Sequence, residues 1–534
     1  CHGAAAGKNG FGLSLFGFDP ARDLRTLTRD LRGRRLDPAE PEQSLMLQKA
    51  TNAVAHKGGL RVKPDSDHYG ELRAWIAAGA PADLGKAPLL QGIELLPGDA
   101  VLAGRGLRLP FLLRARYADG SDRDVTALAL WSSSNEAACT IDKQGLVTSG
   151  DPGESCVLAR FGPCAQAIKV LVLPADQAFT WTEVPEANFV DQLVHAKLRR
   201  AHVLPAGTCS DEVFVRRLHL DLLNVLPTPA AARAFCADTD PDKRSKLIDA
   251  LLLRPEFAAA MAMTWAEVLQ VDAQTMEAKG ASLLYRWLQD AFAQGRPFDD
   301  VVREMLTAEG SSFGVPPANF LLAAQQPNLL AEKVAQNFLG IRLQCAQCHN
   351  HPFENWTMDD YYGFAAFFAQ LGRKRGEDPY ESLLWNRGNG EVAHKRDGSV
   401  VAPRFLGGGP APVPAGSDRR QVLAQWLCSP DNPYFARNVV NRLWARLFGR
   451  GIVDPPDDVR VSNPPSHPQL LQQLALLLVE HQFDVRVLFR VICNSRTWQL
   501  GPHADAPAVL FAGNLVRRLS AEQLLDAIGA VTGV

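Results

Sequence analysis

Cys345-Ala346-Gln347-Cys348-His349 is the stretch around which this chain is organised. Two cysteines two residues apart, with a histidine directly after the second, form the attachment signature of a c-type haem. Each thiol adds to one vinyl group of the porphyrin. The next side chain is then carried under the iron, so His349 is the expected proximal ligand. Two other chemistries use the same residues. Cys345 and Cys348 could close a strained local disulfide, or the run C-x-x-C-H-x-H could join His349 and His351 in a zinc or iron site.

The first residues repeat the theme. Cys1-His2-Gly3 is what remains of a C-x-x-C-H-G motif cut before its second cysteine. On this reading Cys1 is a tether and His2 an axial ligand. The chain is then expected to be a fragment, or a processed form, that has lost its first haem cysteine and any signal peptide. A second axial ligand is sought opposite His2. His56 is the choice, in Ala55-His56-Lys57-Gly58-Gly59, where glycines allow close approach of backbone to a porphyrin. Met46 and His68 compete with it, and a surface histidine or a core methionine is the plainer reading of each.

A chain of 534 residues is too long for one compact core, so three to five domains are expected. Hydrophobic content of 46% with 21% charged residues is that of an ordinary globular protein. A net charge of -2 gives no electrostatic case for nucleic acid or an anionic membrane. No apolar run reaches the roughly 20 residues of a membrane span, so no transmembrane segment is expected. Covalent haem attachment takes place outside the cytoplasm. The motif therefore points to an oxidising, periplasmic or exported location, at the cell surface or beyond.

The fold class expected is multidomain and mainly α. Residues 1–82 read as a small helical module, with Pro41-Glu42-Gln43-Ser44 before a helix start and 71–78 as an apolar-periodic helix. Residues 91–174 change to short alternating strands. Phe111, Leu113, Ala115 and Tyr117 share one face, and a turn follows at 118–121. That rhythm is a β-sandwich of immunoglobulin type. Cys139, Cys156 and Cys164 lie in it, either bridged (139–156 or 156–164) or as buried thiols. Residues 188–372 and 390–534 read as two largely helical domains, with a hairpin inserted across Asp397-Gly398. Arg217 and Asp221, four apart on one helix, read as a solvated ion pair. Thr357 caps a helix bearing Tyr361, Phe364 and Phe368, an aromatic stripe that is either a haem wall or plain core. Asp454, Asp457 and Asp458 with His467 could bind a metal or do acid/base work. The plainer reading pairs Asp457 and Asp458 with Arg442 or Arg460.

Taken together these residues resemble a family of large exported proteins abundant in Planctomycetes. Its members join a planctomycete-type cytochrome c domain, a bacterial Ig-like group-2 domain and two domains of unknown function. The resemblance rests on Cys1-His2-Gly3, His56 with Gly58-Gly59 and 73–81 (RAWIAAGAP). It continues in Tyr117-Ala118-Asp119-Gly120, in 214–221 (FVRRLHLD), in 338–353 around the C-x-x-C-H motif, and in 441–444, 448–451 and 463–468 (NPPSHP). It implies haem binding and electron transfer at the N-terminal domain. The family motif around His56 has glycine where this chain has Lys57. The chain is expected to stop inside its last domain.

The function expected is that of an exported c-type cytochrome-like protein with one or two haem c groups. Cys1, Cys345 and Cys348 are tethers, and His2, His56 and His349 are axial ligands. The redox partner is not named by the sequence; oxidation of an extracytoplasmic substrate and a carbohydrate ligand are conceivable, and nucleic acid is not expected. Two alternatives stand beside it. One is a non-haem metal enzyme using Cys345, Cys348, His349 and His351, with Asp457, Asp458 and His467. The other is a surface or glycan-binding protein that uses the Ig-like module.

Overall fold

The computed structural model describes residues 2–3, 7–82, 87–175, 178–351 and 354–533. It combines a mainly helical body with several β-sheets. Cys1, the expected tether, lies outside the described residues.

Three helices occupy the N-terminal part: α1 (Pro20–Thr28), α2 (Leu45–Ala50) and α3 (Asp67–Ala77). Asp19 and Ser66 cap α1 and α3 by accepting from the amides of Arg22 and Tyr69. Helix α2 starts after Ser44 as expected, but Ser44 is not its side-chain cap. The Ser44 hydroxyl accepts instead from the Asp37 amide at 2.9 Å.

Ten strands follow: β1 (Leu90–Leu96), β2 (Ala100–Ala103), β3 (Arg108–Pro110), β4 (Leu112–Tyr117), β5 (Asp122–Asp124), β6 (Leu130–Ser133), β7 (Cys139–Ile141), β8 (Leu146–Ser149), β9 (Gly153–Phe161) and β10 (Cys164–Leu173). They form three sheets, ordered β1-β4-β5, β2-β10-β9-β6 and β3-β8-β7. The β2–β10 pairing is parallel. Alternation sets what each face does. Phe111, Leu113 and Ala115 point into a core with Val157, Ala159, Val170 and Val172, while Arg114 and Arg116 turn outward to Glu94. Cys139, Cys156 and Cys164 are free thiols, so neither bridge forms. Burial pushes the Cys156 thiol up to about 12.

β10 is covered on both faces. Val170 and Val172 belong to the strand core, whereas Leu171 and Leu173 enter the core of the helical body. That explains its nearly continuous apolar run, which a strand with one wet face would not show.

The helical body begins with α4 (Phe189–Arg200) and α5 (Asp211–Leu223) and continues through α6 (Pro255–Leu269), α7 (Ala278–Ala293) and α8 (Met358–Ala365). After the loop-rich 373–418 segment come α9 (Phe435–Phe448), α10 (Pro468–Glu480), α11 (Val485–Asn494) and α12 (Arg496–Gln499). One hydrophobic core runs through helices on both sides of that segment. Between them, β11 (Leu371–Arg375) pairs antiparallel with β12 (Ser382–Asn386). The hairpin expected at Asp397-Gly398 is present but short: Val392 pairs with Val401 and Ala393 with Val400.

Buried polar groups fix the register of this body. Asn441 on α9 grips the Val453 backbone from both sides, donating to its carbonyl at 2.8 Å and accepting from its amide at 2.9 Å. Asn438 donates to the Asn337 carbonyl at 2.8 Å. Asp191 on α4 is fully buried. Its carboxylate accepts from the amides of Ala187, Arg496 and Thr497 and from the Thr497 hydroxyl, at 2.7–3.0 Å. It thereby closes its own helix start and holds α12.

Asp191→Ala should lower the unfolding free energy by about 3 kcal/mol, since it leaves several buried donors without an acceptor. Asp191→Asn, which keeps one oxygen, should lose roughly half of that. Urea titrations followed by far-ultraviolet circular dichroism would measure both.

Candidate functional site

His2 and His56 come together although 54 positions separate them. Their ring centroids lie 6.1 Å apart with planes inclined by 16°. His2 is placed by a short bridge between Lys8 and Phe11, and its carbonyl accepts from the Leu13 amide at 2.8 Å. Its Nδ1 lies 2.9 Å from the Phe11 carbonyl. His56 sits in a turn closed by the Gly59 amide on its own carbonyl, and its Nδ1 lies 3.3 Å from the Gly59 carbonyl. A carbonyl can only accept, so each Nδ1 carries the proton and each Nε2 presents its lone pair. Gly58 makes room for the imidazole: a Cβ there would lie 2.7 Å from His56 Cε1. His68, a competitor for the role, is an exposed residue 3.8 Å from Glu71.

The C-x-x-C-H motif follows a helix end. Gly340 takes the left-handed conformation at φ 71°, and a Cβ on it would meet Asn438 Oδ1 at 2.8 Å. Leu343 and Ala346 are buried and anchor the short 3₁₀ turn Gln344–Gln347. Cys345 is exposed and Cys348 half-buried, both as free thiols, so no local disulfide forms. Lys395 Nζ approaches Cys348 Sγ at 3.7 Å. His349 Nδ1 lies 2.8 Å from the Asn350 carbonyl, which again leaves Nε2 as the lone-pair nitrogen. These are the groups that the sequence reading assigns to a tethered haem. The apolar sleeve is another matter. Thr357 and Asp360 make a capping box at the start of α8, but Tyr361, Phe364 and Phe368 are buried in the main core. Tyr362 closes the motif's flank by donating to the Gln347 carbonyl at 2.9 Å. The aromatic stripe is core.

His351 lies within electrostatic reach of His349. It is buried, and burial with Arg460 and Arg160 nearby pushes it down to about 4. Arg160 on β9 donates to the carbonyls of Glu354 at 3.0 Å and His351 at 3.4 Å, and stacks on Phe16 at 4.7 Å. It joins the strands, the N-terminal part and the motif loop. Glu354 accepts from the Val461 amide at 2.7 Å, and burial pushes its carboxyl up to about 7. Neither Arg160 nor Glu354 stands out in the sequence, because only the folded chain brings them together.

The aspartates take structural partners. Asp457 pairs with Arg342 at 2.6 Å and Asp458 with Arg460 at 3.0 Å. His467 is elsewhere, in a cavity of about 470 Å³ shared with Lys169, Lys197 and Glu154. The Ser466 hydroxyl spends its proton on the Ile452 carbonyl, so His467 Nδ1 donates to Ser466 and Nε2 is left as a buried acceptor. Among the described residues no group of three or more His, Cys, Asp or Glu is arranged to hold a metal ion. None of the described helices is long and apolar enough to cross a membrane.

Residues 189–373 match the model of PSCyt2, described as a protein of unknown function (DUF1549). Residues 419–534 match that of PSD1, described as a protein of unknown function (DUF1553). A comparison with curated proteins returned no match.

The raised carboxyl of Glu354 has a consequence for stability. Between its ordinary value of 4.5 and about 7, the folded chain keeps a proton that the unfolded chain has released. Stability is therefore lost as pH rises through that window. Glu354→Gln retains an acceptor for Val461 and removes the loss. Denaturant titrations at about pH 5 and about pH 8 should show the parent losing about 2 kcal/mol relative to the variant.

Proposed function

The chain carries the two planctomycete domains of unknown function that these matches describe, and from that premise we propose that it is an exported c-type cytochrome-like protein that binds haem and transfers electrons in the periplasm or at the cell surface. The observation that carries this reading is the His2–His56 pair, with its 6.1 Å centroid separation. Both rings are held by backbone carbonyls on Nδ1, so neither needs to turn before binding a metal through Nε2. Bound there, haem would supply one-electron chemistry. Residues 1–82 are the cytochrome c-like part on this reading, with Cys1 as its tether. Cys345 and Cys348 are tethers for a second haem, with His349 as its ligand. Residues 91–174 serve as a spacer of the bacterial Ig-like group-2 type.

The chain's own residues set the conditions. Phe11 lies 4.7 Å from His2, and Arg35 stacks on the other partner of that contact, 4.4 Å from the Phe11 centroid. An apolar ring backed by a fixed positive charge favours the reduced, less positive state of a bound iron. A non-haem metal enzyme has less support, since Asp457 and Asp458 are held by arginines and His467 lies in another cavity.

Titration of the full chain with haemin tests the first site. A six-coordinate low-spin spectrum is expected. His56→Ala should convert it to a high-spin spectrum, and His2→Ala should weaken uptake by about tenfold or more. Absence of haemin uptake, or uptake indifferent to both substitutions, would sink the proposal. For the second site, a pyridine-haemochrome assay after expression with c-type maturation should show one haem fewer in Cys345→Ala/Cys348→Ala.

A further inference from the structure

We propose that the cavity between α5, the C-terminal end of α9 and residues 514–519 binds an oxyanion, a phosphate or sulfate ester carried on a hydroxyl-bearing molecule. The cavity measures about 370 Å³ and is lined by Arg216, Arg217, Arg446, Arg517 and Arg518 around Asp221. The ion pair read from the sequence as solvated is in fact buried, with Arg217 Nε 3.8 Å from Asp221 Oδ2.

Charge decides what this cavity can hold. Three of the guanidiniums hold backbone or neutral side chains. Arg217 donates to the carbonyls of Trp498 and Leu500. Arg517 donates to those of Arg446 and Leu447. Arg446 donates to Thr264 Oγ1 and Asn224 Oδ1. These acceptors satisfy hydrogen bonds but cancel no charge. Among the described residues, the only ion pairs the five arginines make are with Asp221, which Arg517 reaches at 2.7 Å. Glu267 contributes at longer range to the field at Arg446. Five positive charges thus face one carboxylate, in a chain whose net charge is -2. Around the buried part of the cluster, at Arg217 and Asp221, such an excess favours a bound anion.

The mouth supplies the contacts. Arg216 and Arg518 are exposed, and neither has an ion pair or hydrogen bond among the described residues. Their planar forks are free for the oxygens of a phosphate or sulfate. Deeper in, Asp221 Oδ2 and Asn514 Oδ1 are buried acceptors without a donor. Hydroxyl groups, or water ordered by them, would answer these acceptors, which points to an ester of a polyol over a bare inorganic ion.

Isothermal titration of the full chain with glucose 6-phosphate, glucose 6-sulfate and glucose tests the proposal, with inorganic phosphate and sulfate alongside. Saturable binding of at least one ester is expected, tighter than its inorganic ion, with none for glucose; the tighter ester identifies the group. Arg216→Gln/Arg518→Gln, at two exposed positions without partners, should weaken binding about tenfold or more. Asp221→Asn keeps one side-chain oxygen for a ligand hydroxyl but removes the negative charge that competes for the arginines, and should tighten binding, whereas a purely structural cluster predicts no gain. Binding of neither ester, equal binding of glucose, or binding unchanged in the double variant would overturn the proposal.

Discussion

A single buried carboxylate holds the helical body in register. Asp191 accepts from three amides and one hydroxyl, and those donors lie at the start of α4 and some 305 positions later in α12. Among the described residues no cation pairs with it, and the carboxylate is held by hydrogen bonds instead. Around that tie the apolar core closes without distinguishing the residues before 373 from those after 418. The same device recurs at Asn438 and Asn441, which bind backbone rather than other side chains. Apolar packing alone tolerates sliding, but a side chain that satisfies one particular buried peptide group does not.

Polar burial also places the candidate sites. Gly340 and Asn438 fix the backbone just before the C-x-x-C-H turn. Arg160 gathers the carbonyls of His351 and Glu354 beneath it. The first histidine pair is built differently, from backbone carbonyls alone, which set the tautomer of each ring without a second titrating group. Both arrangements offer Nε2, but the first also brings two imidazoles within 6.1 Å of each other.

Much of this is legible locally. Ser66, Asn188, Ser210, Thr357 and Ser520 each cap a helix where a short polar residue precedes an apolar-periodic run. The alternation Phe111-Leu113-Ala115 gives the inner face of β4. The histidine at 56 sits in a glycine-rich loop, where Gly58 leaves room for its ring. What escapes is set by distant chain. Arg217 and Asp221 have the spacing of a surface pair, and only Trp498, Leu500 and Arg517 bury them. β11 and β12 escape because a Gly- and Arg-rich stretch carries no strand pattern of its own. Lys169 looks like an outward position in β10, yet it donates to the carbonyls of Pro465 and Ser466.

The two-faced burial of β10 bears on how such a protein can be cut and recombined. A strand whose even-numbered residues fill one core and whose odd-numbered residues fill another belongs to both units at once. Severed from the helices, the strand unit would bare Leu171 and Leu173 as a greasy stripe; severed from the strands, the helices would lose part of their lid. The boundary drawn by composition between strands and helices is thus not a seam. The β-rich segment is joined to its neighbour as masonry is, by a shared course of bricks, and it can be exchanged for another only if the replacement brings a matching second face.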